Sequence, residues 1–384
     1  MRRAAIFLSL FAVAACQESS QTAPEPHRPT LEASATADQV AAPSAAPSTA
    51  PTVVTLIDGP FRTEKVSGEA HAMGTHLGYA AYTTPKVNAD AAHRAFDAAT
   101  AEIQRIETLM TTWRPDSDLS KVNAEAGKNK VKVDPETFAV VKESLHTSDI
   151  SSGTFDITFE SLHGLWKFDE DLDPHPPTAD QVKAKLPLVG YKHVHLDEAA
   201  QTIFIDQVGT KISLGGIAKG YAVDKAAKIL ADAGLEAFYV QAGGDLFARG
   251  RKPDGTAWQA GIRDPRGPDG SYFAMIDLSD HAFSTAGDYE RSYVIGNKRY
   301  HHIIDPRTGF PATASRSVTI YAPTAYQADA IDDAVFILGP KKGLDLVESL
   351  DDVGAVIVDD KNNMWVSKRL QGKVKLLRAP TGGI

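Results

Sequence analysis

The chain has 384 residues, 43% of them hydrophobic, and its 40 basic against 49 acidic side chains give a formal net charge of −9. That acidic balance supplies no electrostatic footprint for a phosphodiester backbone and argues against a nucleic-acid partner. Cys16 is the single cysteine, so an internal disulfide is excluded and the core must hold by packing alone.

The chain opens with Arg2 and Arg3, an apolar run from Ala4 to Ala15, and then Cys16. A basic start, a short apolar stretch and small residues form an export signal, too short for a permanent membrane span. Val13-Ala14-Ala15-Cys16 resembles a lipobox, in which the cysteine is lipidated and becomes the mature N-terminus; an ordinary signal with an incidental cysteine is the alternative. Gln17, where an aspartate would mark inner-membrane retention, resembles an outer-membrane sorting signal. Residues 16–52 are rich in Ala, Pro, Ser and Thr, cannot bury enough apolar surface to offset their ordering, and read as a tether. This predicts a signal over 1–15, a lipidated linker over 16–52 and a single catalytic domain over 53–384.

Within that domain no short repeat appears. A strand is expected over Leu77 to Tyr82, then a helix over 88–112 with Phe96, Ile103, Ile106 and Met110 on one face. Further helices are expected over 136–149, with Phe138, Val141 and Leu145 inward, and over 218–234, with Gly234 just past the end. Short strands follow at Ala237 to Val240, Trp258 to Ile262, Tyr272 to Leu278, Tyr293 to Ile295 and Ser317 to Tyr321, and a last long helix starts near Ala325. Strands and helices without regular βαβ alternation predict an α+β fold with a mixed or antiparallel sheet and flanking helices.

Three segments carry groups suited to chemistry. Ser213-Leu214-Gly215-Gly216-Ile217-Ala218-Lys219-Gly220 puts two glycines and a lysine at a helix start, where backbone N–H groups favour a phosphate. A plain strand-to-helix turn accounts for the same residues. His301 and His302 precede an Asp305-Pro306-Arg307-Thr308-Gly309 turn; adjacent strand residues face opposite sides, so one histidine reaches any common pocket, as proton shuttle or phosphate donor, unless both are structural. Asp329 and Asp333 lie four apart on an apolar helix, hence on one face, as suits a hard divalent cation such as Mg²⁺. Charge complementing the helix macrodipole explains them equally, and Asp332 with them.

Taken together and in order, these segments resemble the ApbE family of FAD:protein FMN transferases. The matching blocks are Met73-Gly74-Thr75, Thr112 to Asn123, Phe155-Asp156-Ile157-Thr158 with Leu165-Trp166-Lys167-Phe168, Leu214 to Asp224, Ala242-Gly243-Gly244-Asp245, His302 to Gly309, and Ala328-Asp329-Ala330. The resemblance implies Mg²⁺-dependent transfer of FMN from FAD to a Ser or Thr hydroxyl of a target protein, with AMP leaving. It implies metal ligation by Asp329, Asp333 and the Gly216 carbonyl, and FAD contacts from Met73, Trp113, Thr154, Phe155, Asp156, Ser213, Lys219 and His302. His302 is the expected proton acceptor, with Asp329 in the metal cluster the second choice. The export signal and lipobox place the protein in the envelope, lipid-anchored and facing the periplasm, and acceptors in such a family include flavin-bearing subunits of NADH:quinone oxidoreductase and Rnf-type complexes and other exported flavoproteins. Two positions depart from the family: Asp333 stands where many members have Thr, and Ser213 where many have Asp. An FAD pyrophosphatase using water as acceptor, a non-catalytic FAD-binding lipoprotein and a structural envelope lipoprotein are the competing readings.

Overall fold

A computed structural model describes residues 61–168 and 172–384. The export signal, Cys16, the tether and the expected domain start at 53 lie outside the described residues. Among those described, no helix is long and apolar enough to cross a membrane.

The framework is an eight-stranded sheet whose spatial order follows the chain: Lys65–Ala72, Thr75–Tyr82, Phe238–Ala242, Asp245–Arg249, His281–Gly287, Ser315–Ala322, Gly354–Asp359 and Met364–Val366. Every neighbouring pair is antiparallel. The fold is therefore α+β, with an antiparallel rather than mixed main sheet. Among the described residues, six α-helices are inserted between strands: α1 Ala89–Met110, α2 Asp118–Ala124, α3 Pro135–Ile150, α4 Ala179–Lys185, α5 Ala218–Asp232 and α6 Ala325–Glu348.

Side-chain alternation explains the layering. In Gly354–Asp359, Ala355 and Ile357 join the core under the helices, while Val356 and Val358 face a three-stranded sheet on the other side. That second sheet is built from Trp258–Arg263, Tyr272–Leu278 and Val374–Leu376. A strand covered on both faces reads as a continuous apolar run, and the strand at Gly354–Asp359 was not among those expected from sequence.

The helices begin and end where local chemistry directs. Asn88 caps α1 by accepting from Ala91 N–H at 2.9 Å, and Phe96, Ile103, Ile106 and Met110 are buried as the spacing required. α3 starts with Asp134 as cap and Pro135 in the first turn; Phe138 and Val141 are buried, and Leu145 packs half-buried against the same core. α5 closes with Gly234 at φ 89°, the left-handed conformation that glycine adopts most readily after a helix. α6 begins at Ala325 as expected, but it is not one straight rod. Gly339 takes φ 72° and Pro340 follows, so the helical hydrogen bonding breaks there.

Glu136 ties three helices together. It accepts from Tyr221 Oη at 2.6 Å, and pairs with Lys225 at 2.8 Å and with Arg105. Burial alone would raise its pKa, but Lys225, Tyr221 and Arg105 outweigh that and hold it at about 2, against an ordinary 4.5. A depressed carboxylate pKa stabilises the fold above the unfolded-state value, and that stabilisation is lost as pH falls through the folded-state value. Glu136→Gln is therefore expected to cost about 1–3 kcal/mol at neutral pH. The gap from the parent should narrow as pH falls from about 4.5 toward 2, which denaturant titrations at several pH values would check.

Candidate active site

The chemistry gathers where the start of α5, the first turns of α6 and two adjacent strands meet. Lys219, in the first turn of α5, donates to Asp245 Oδ2 at 2.7 Å and to Asp329 Oδ1 at 3.0 Å. The other oxygen of Asp329 accepts from Gly220 N–H at 2.8 Å, so one of the helix N-terminal donors is met by a carboxylate from α6. The approach is close because residue 220 is glycine: a Cβ there would stand 2.2 Å from the Ala325 carbonyl oxygen. Asp224, one turn on, accepts from Ala325 N–H and Tyr326 N–H at 2.9 and 3.0 Å and fixes the start of α6 against α5.

Asp329, Asp332 and Asp333 occupy positions i, i+3 and i+4 and share one helix face. Asp245, Asp329 and Asp332, all buried, each bring an oxygen within 4.8 Å of the others, as a cation site requires. Asp333 lies beside Gly216, whose added Cβ would be 3.4 Å from Asp333 Oδ2 and equally close to the Phe155 ring. Ser284 Oγ is 2.6 Å from Asp245 Oδ1 and 2.6 Å from Asp332 Oδ2. A hydroxyl has one proton to donate, so a second proton must sit on this chain of three oxygens. Asp332 is where it belongs, since burial and the charges of Asp333, Asp329 and Asp245 hold its pKa well above the ordinary range.

The same forces act across the cluster. Burial and Asp245 raise Asp329 to about 7 against the pull of Lys219. Burial raises Asp333 to about 6, opposed by Lys219 and Arg291. Burial works against the charge of Lys219, but Asp245 and Asp329 outweigh it and keep the ammonium protonated. Four acidic side chains, one of them carrying a proton, thus gather around Lys219 in a desolvated space, a concentration of hard oxygen atoms that suits a divalent cation with oxygen preference.

The strand Lys298–His301 ends between the two adjacent histidines, and their surroundings differ. His301 is buried against the Phe336 ring and bonds the Ala312 carbonyl at 2.8 Å. For His302, burial, then Arg291 and His301, push the pKa down to about 3, with Lys219 adding to the same effect. The ring is neutral, and its Nδ1 makes no hydrogen bond within the protein although it is shielded from solvent.

The remaining expected contacts divide. Met73 and Gly74 form a two-residue hairpin turn, both at positive φ (52° and 66°), which for a methionine is an uncommon backbone conformation. This turn lies against Gly243, where a Cβ would stand 2.7 Å from Thr75 Oγ1, next to the strand that starts at Asp245. Trp113 is 80% exposed, its ring set roughly perpendicular to that of His163 with centroids 5.7 Å apart. Thr154 donates to the Ser151 carbonyl at 3.0 Å. Thr154 Oγ1 also lies 3.4 Å from the Ala334 carbonyl of α6. Asp156 caps the following turn, accepting from Thr158 N–H and Tyr191 N–H at 2.8 Å each, so the polar atoms of both residues have partners within the protein. Ser213 accepts from Gly215 N–H at 3.3 Å and shapes the glycine turn.

The sequence pattern of the ApbE family matches residues 73–357, which contain every group just described. The chain belongs to the ApbE family. The FAD:protein FMN transferase of Treponema pallidum is 33% identical over 303 residues, covering 75% of this chain and 83% of that protein. The ApbE protein of Thermotoga maritima superposes with a TM-score of 0.73 at 32% identity, over 81% of this chain and 99% of its own. The flavin transferase ApbE of Vibrio cholerae gives 0.71 at 26% identity, over 81% and 100%. Within this ApbE chain, Asp245, Asp332 and Ser284 join the cluster without having been singled out from sequence. The spacing of Asp332 from Asp329 was a usable signal; Ser284 is brought in from a strand 39 residues beyond Asp245, and nothing local marks it.

Proposed function

We propose that this protein is a divalent-metal-dependent FAD:protein FMN transferase of the bacterial envelope, which joins the FMN half of FAD to a Thr or Ser hydroxyl of an exported protein. The observation that carries the reading is the cluster of Asp245, Asp329, Asp332 and Asp333 around Lys219 at a helix start, in a chain with the ApbE pattern. In this reading the acceptor Oγ forms a bond to the FMN phosphorus, the pyrophosphate P–O bond breaks, and AMP leaves with the bridging oxygen. Such transfers depend on positioning and charge neutralisation. Asp329, Asp333 and the Gly216 carbonyl would hold Mg²⁺, with Asp245 and Asp332 completing the acidic surround. The ion, when bound, polarises the pyrophosphate and stabilises the departing phosphate.

Lys219 contributes a fixed positive charge toward the same oxygens. His302, neutral and with an unused ring nitrogen, is placed to take the acceptor hydroxyl proton; a pyrophosphate anion beside it would raise its basicity from the low value that burial imposes. The Phe155 ring packs beside Gly216, while Met73 and the open indole face of Trp113 offer apolar surface to flavin or adenine rings. Lipidation of Cys16 and the tether to residue 52 would hold the domain at a membrane surface on the periplasmic side. Acceptors there would include flavin-bearing subunits of NADH:quinone oxidoreductase or Rnf-type complexes.

The test is to supply FAD, Mg²⁺ and a Thr-bearing acceptor domain and to separate AMP, free FMN and acceptor-bound flavin by chromatography. AMP and acceptor-bound flavin should appear in equal amounts, stop with EDTA and return with excess Mg²⁺. AMP with free FMN alone, across several acceptors, would instead identify a hydrolase.

A further inference from the structure

We propose that Ser284 is a positioning residue for flavin transfer, acting on Lys219 through Asp245. This rests on the reading of Lys219 as a residue that holds the FAD pyrophosphate. Ser284 is 1% exposed and lies between Ala282 and Ala286, which face the helices, while Phe283 points to the small sheet. Alternation thus turns the hydroxyl toward α6 and the acidic cluster.

A continuous chain of contacts leads from it. Ser284 Oγ meets Asp245 Oδ1 at 2.6 Å, Asp245 Oδ2 accepts from Lys219 Nζ at 2.7 Å, and Lys219 Nζ donates to Asp329 Oδ1 at 3.0 Å. Asp329 Oδ2 is pinned in turn by Gly220 N–H at 2.8 Å. The Asp329 end is thus held by backbone, whereas the Asp245 carboxylate is held, among the described residues, by the Ser284 hydroxyl and Lys219 itself. A carboxylate rotates broadly about its last torsion, and lysine carries its charge on a flexible four-carbon stem. Removing the Ser284 hydroxyl frees the Asp245 carboxylate to turn, and the ammonium follows it. Ser284 also contacts Asp332, so one hydroxyl on a sheet strand spaces Asp245 from the α6 carboxylate at the site.

A double-mutant cycle tests this, using the holoenzyme with FAD and Mg²⁺ and the variants Ser284→Ala, Lys219→Met, the double variant and Ser284→Thr. Transfer is measured as kcat/KM for FAD, FAD affinity by flavin fluorescence, and stability by thermal denaturation. Ser284→Ala is expected to lose about 10- to 100-fold in kcat/KM, the range for a hydrogen bond to a charged group. In the Lys219→Met background the same change should add little, because the residue it acts on is gone. Ser284→Thr keeps the donor and should restore most of the activity. Losses that multiply in the double variant, or a Ser284→Ala protein equal to the parent in kcat/KM and FAD affinity, would overturn the proposal. If the parent binds FAD but labels no acceptor, the transferase reading fails, and the same cycle in FAD affinity still decides the role of Ser284.

Discussion

Gly220→Ala is expected to reduce flavin transfer by at least about 100-fold and to destabilise the fold by about 3 kcal/mol. The new Cβ would stand 2.2 Å from the Ala325 carbonyl oxygen, 2.7 Å from its carbonyl carbon and 2.7 Å from Asp329 Cβ. None of these is the mobile end of a side chain, so α5 and α6 must separate by about 1 Å to restore van der Waals distance. That separation breaks into both contacts that register the helices: the Asp224 carboxylate on Ala325 and Tyr326 N–H, and Gly220 N–H on Asp329. A displacement of this size at a site that works by positioning costs about 100-fold. Steady-state transfer assays and denaturant unfolding would check the two effects separately; a variant within tenfold of the parent in kcat would show that the helix contact does not set the site.

Asp329→Asn is expected to lower kcat by about 10²–10³-fold, the loss typical when a preorganised electrostatic group is removed. The substitution keeps size but not bonding. Both oxygens of Asp329 accept, one from Lys219 and one from Gly220 N–H. An asparagine has one oxygen and one NH₂, so in either orientation a donor faces a donor. The buried mismatch costs about 1–3 kcal/mol of stability. Lys219 is left with Asp245 as its sole close counter-charge in this chain of contacts, and one hard oxygen ligand is lost. Calorimetric titration with Mn²⁺ should show weakened metal binding beside the loss of rate. A variant with parental metal affinity and parental kcat would remove Asp329 from the centre of the account.

What could be read from sequence was what is local. The helical face of Phe96, Ile103, Ile106 and Met110, the start of α6 at Ala325 and Gly234 past the end of α5 all follow from spacing and capping, and all stand in the fold. The lysine at the helix start and the carboxylates four apart were visible for the same reason. Order in the sheet was not, because strands such as Phe238–Ala242 and Thr75–Tyr82 pair across more than 150 intervening residues, which include helices and a separate small sheet. The strand Gly354–Asp359 escaped because burial on both faces removes the alternation that marks a strand. At the site, Asp332 was open to a macrodipole explanation, which its burial beside Ser284 displaces. Asp245 and Ser284 come together only through the sheet, so their roles depend on tertiary contacts that no window of sequence contains. Thr154 and Asp156, expected from the resemblance to contact FAD, have polar atoms that are hydrogen-bonded within the protein, to Ser151 and Ala334 and to Thr158 and Tyr191.

The most direct measurement is the intact mass of a Thr-bearing acceptor domain after incubation with this protein, FAD and Mg²⁺, run beside Asp329→Asn. The account predicts that the acceptor gains the mass of one FMN less water, that the gain maps to a threonine or serine, and that EDTA or Asp329→Asn removes it. An acceptor of unchanged mass with the parent protein while FAD is consumed, or full labelling with EDTA present, would contradict it.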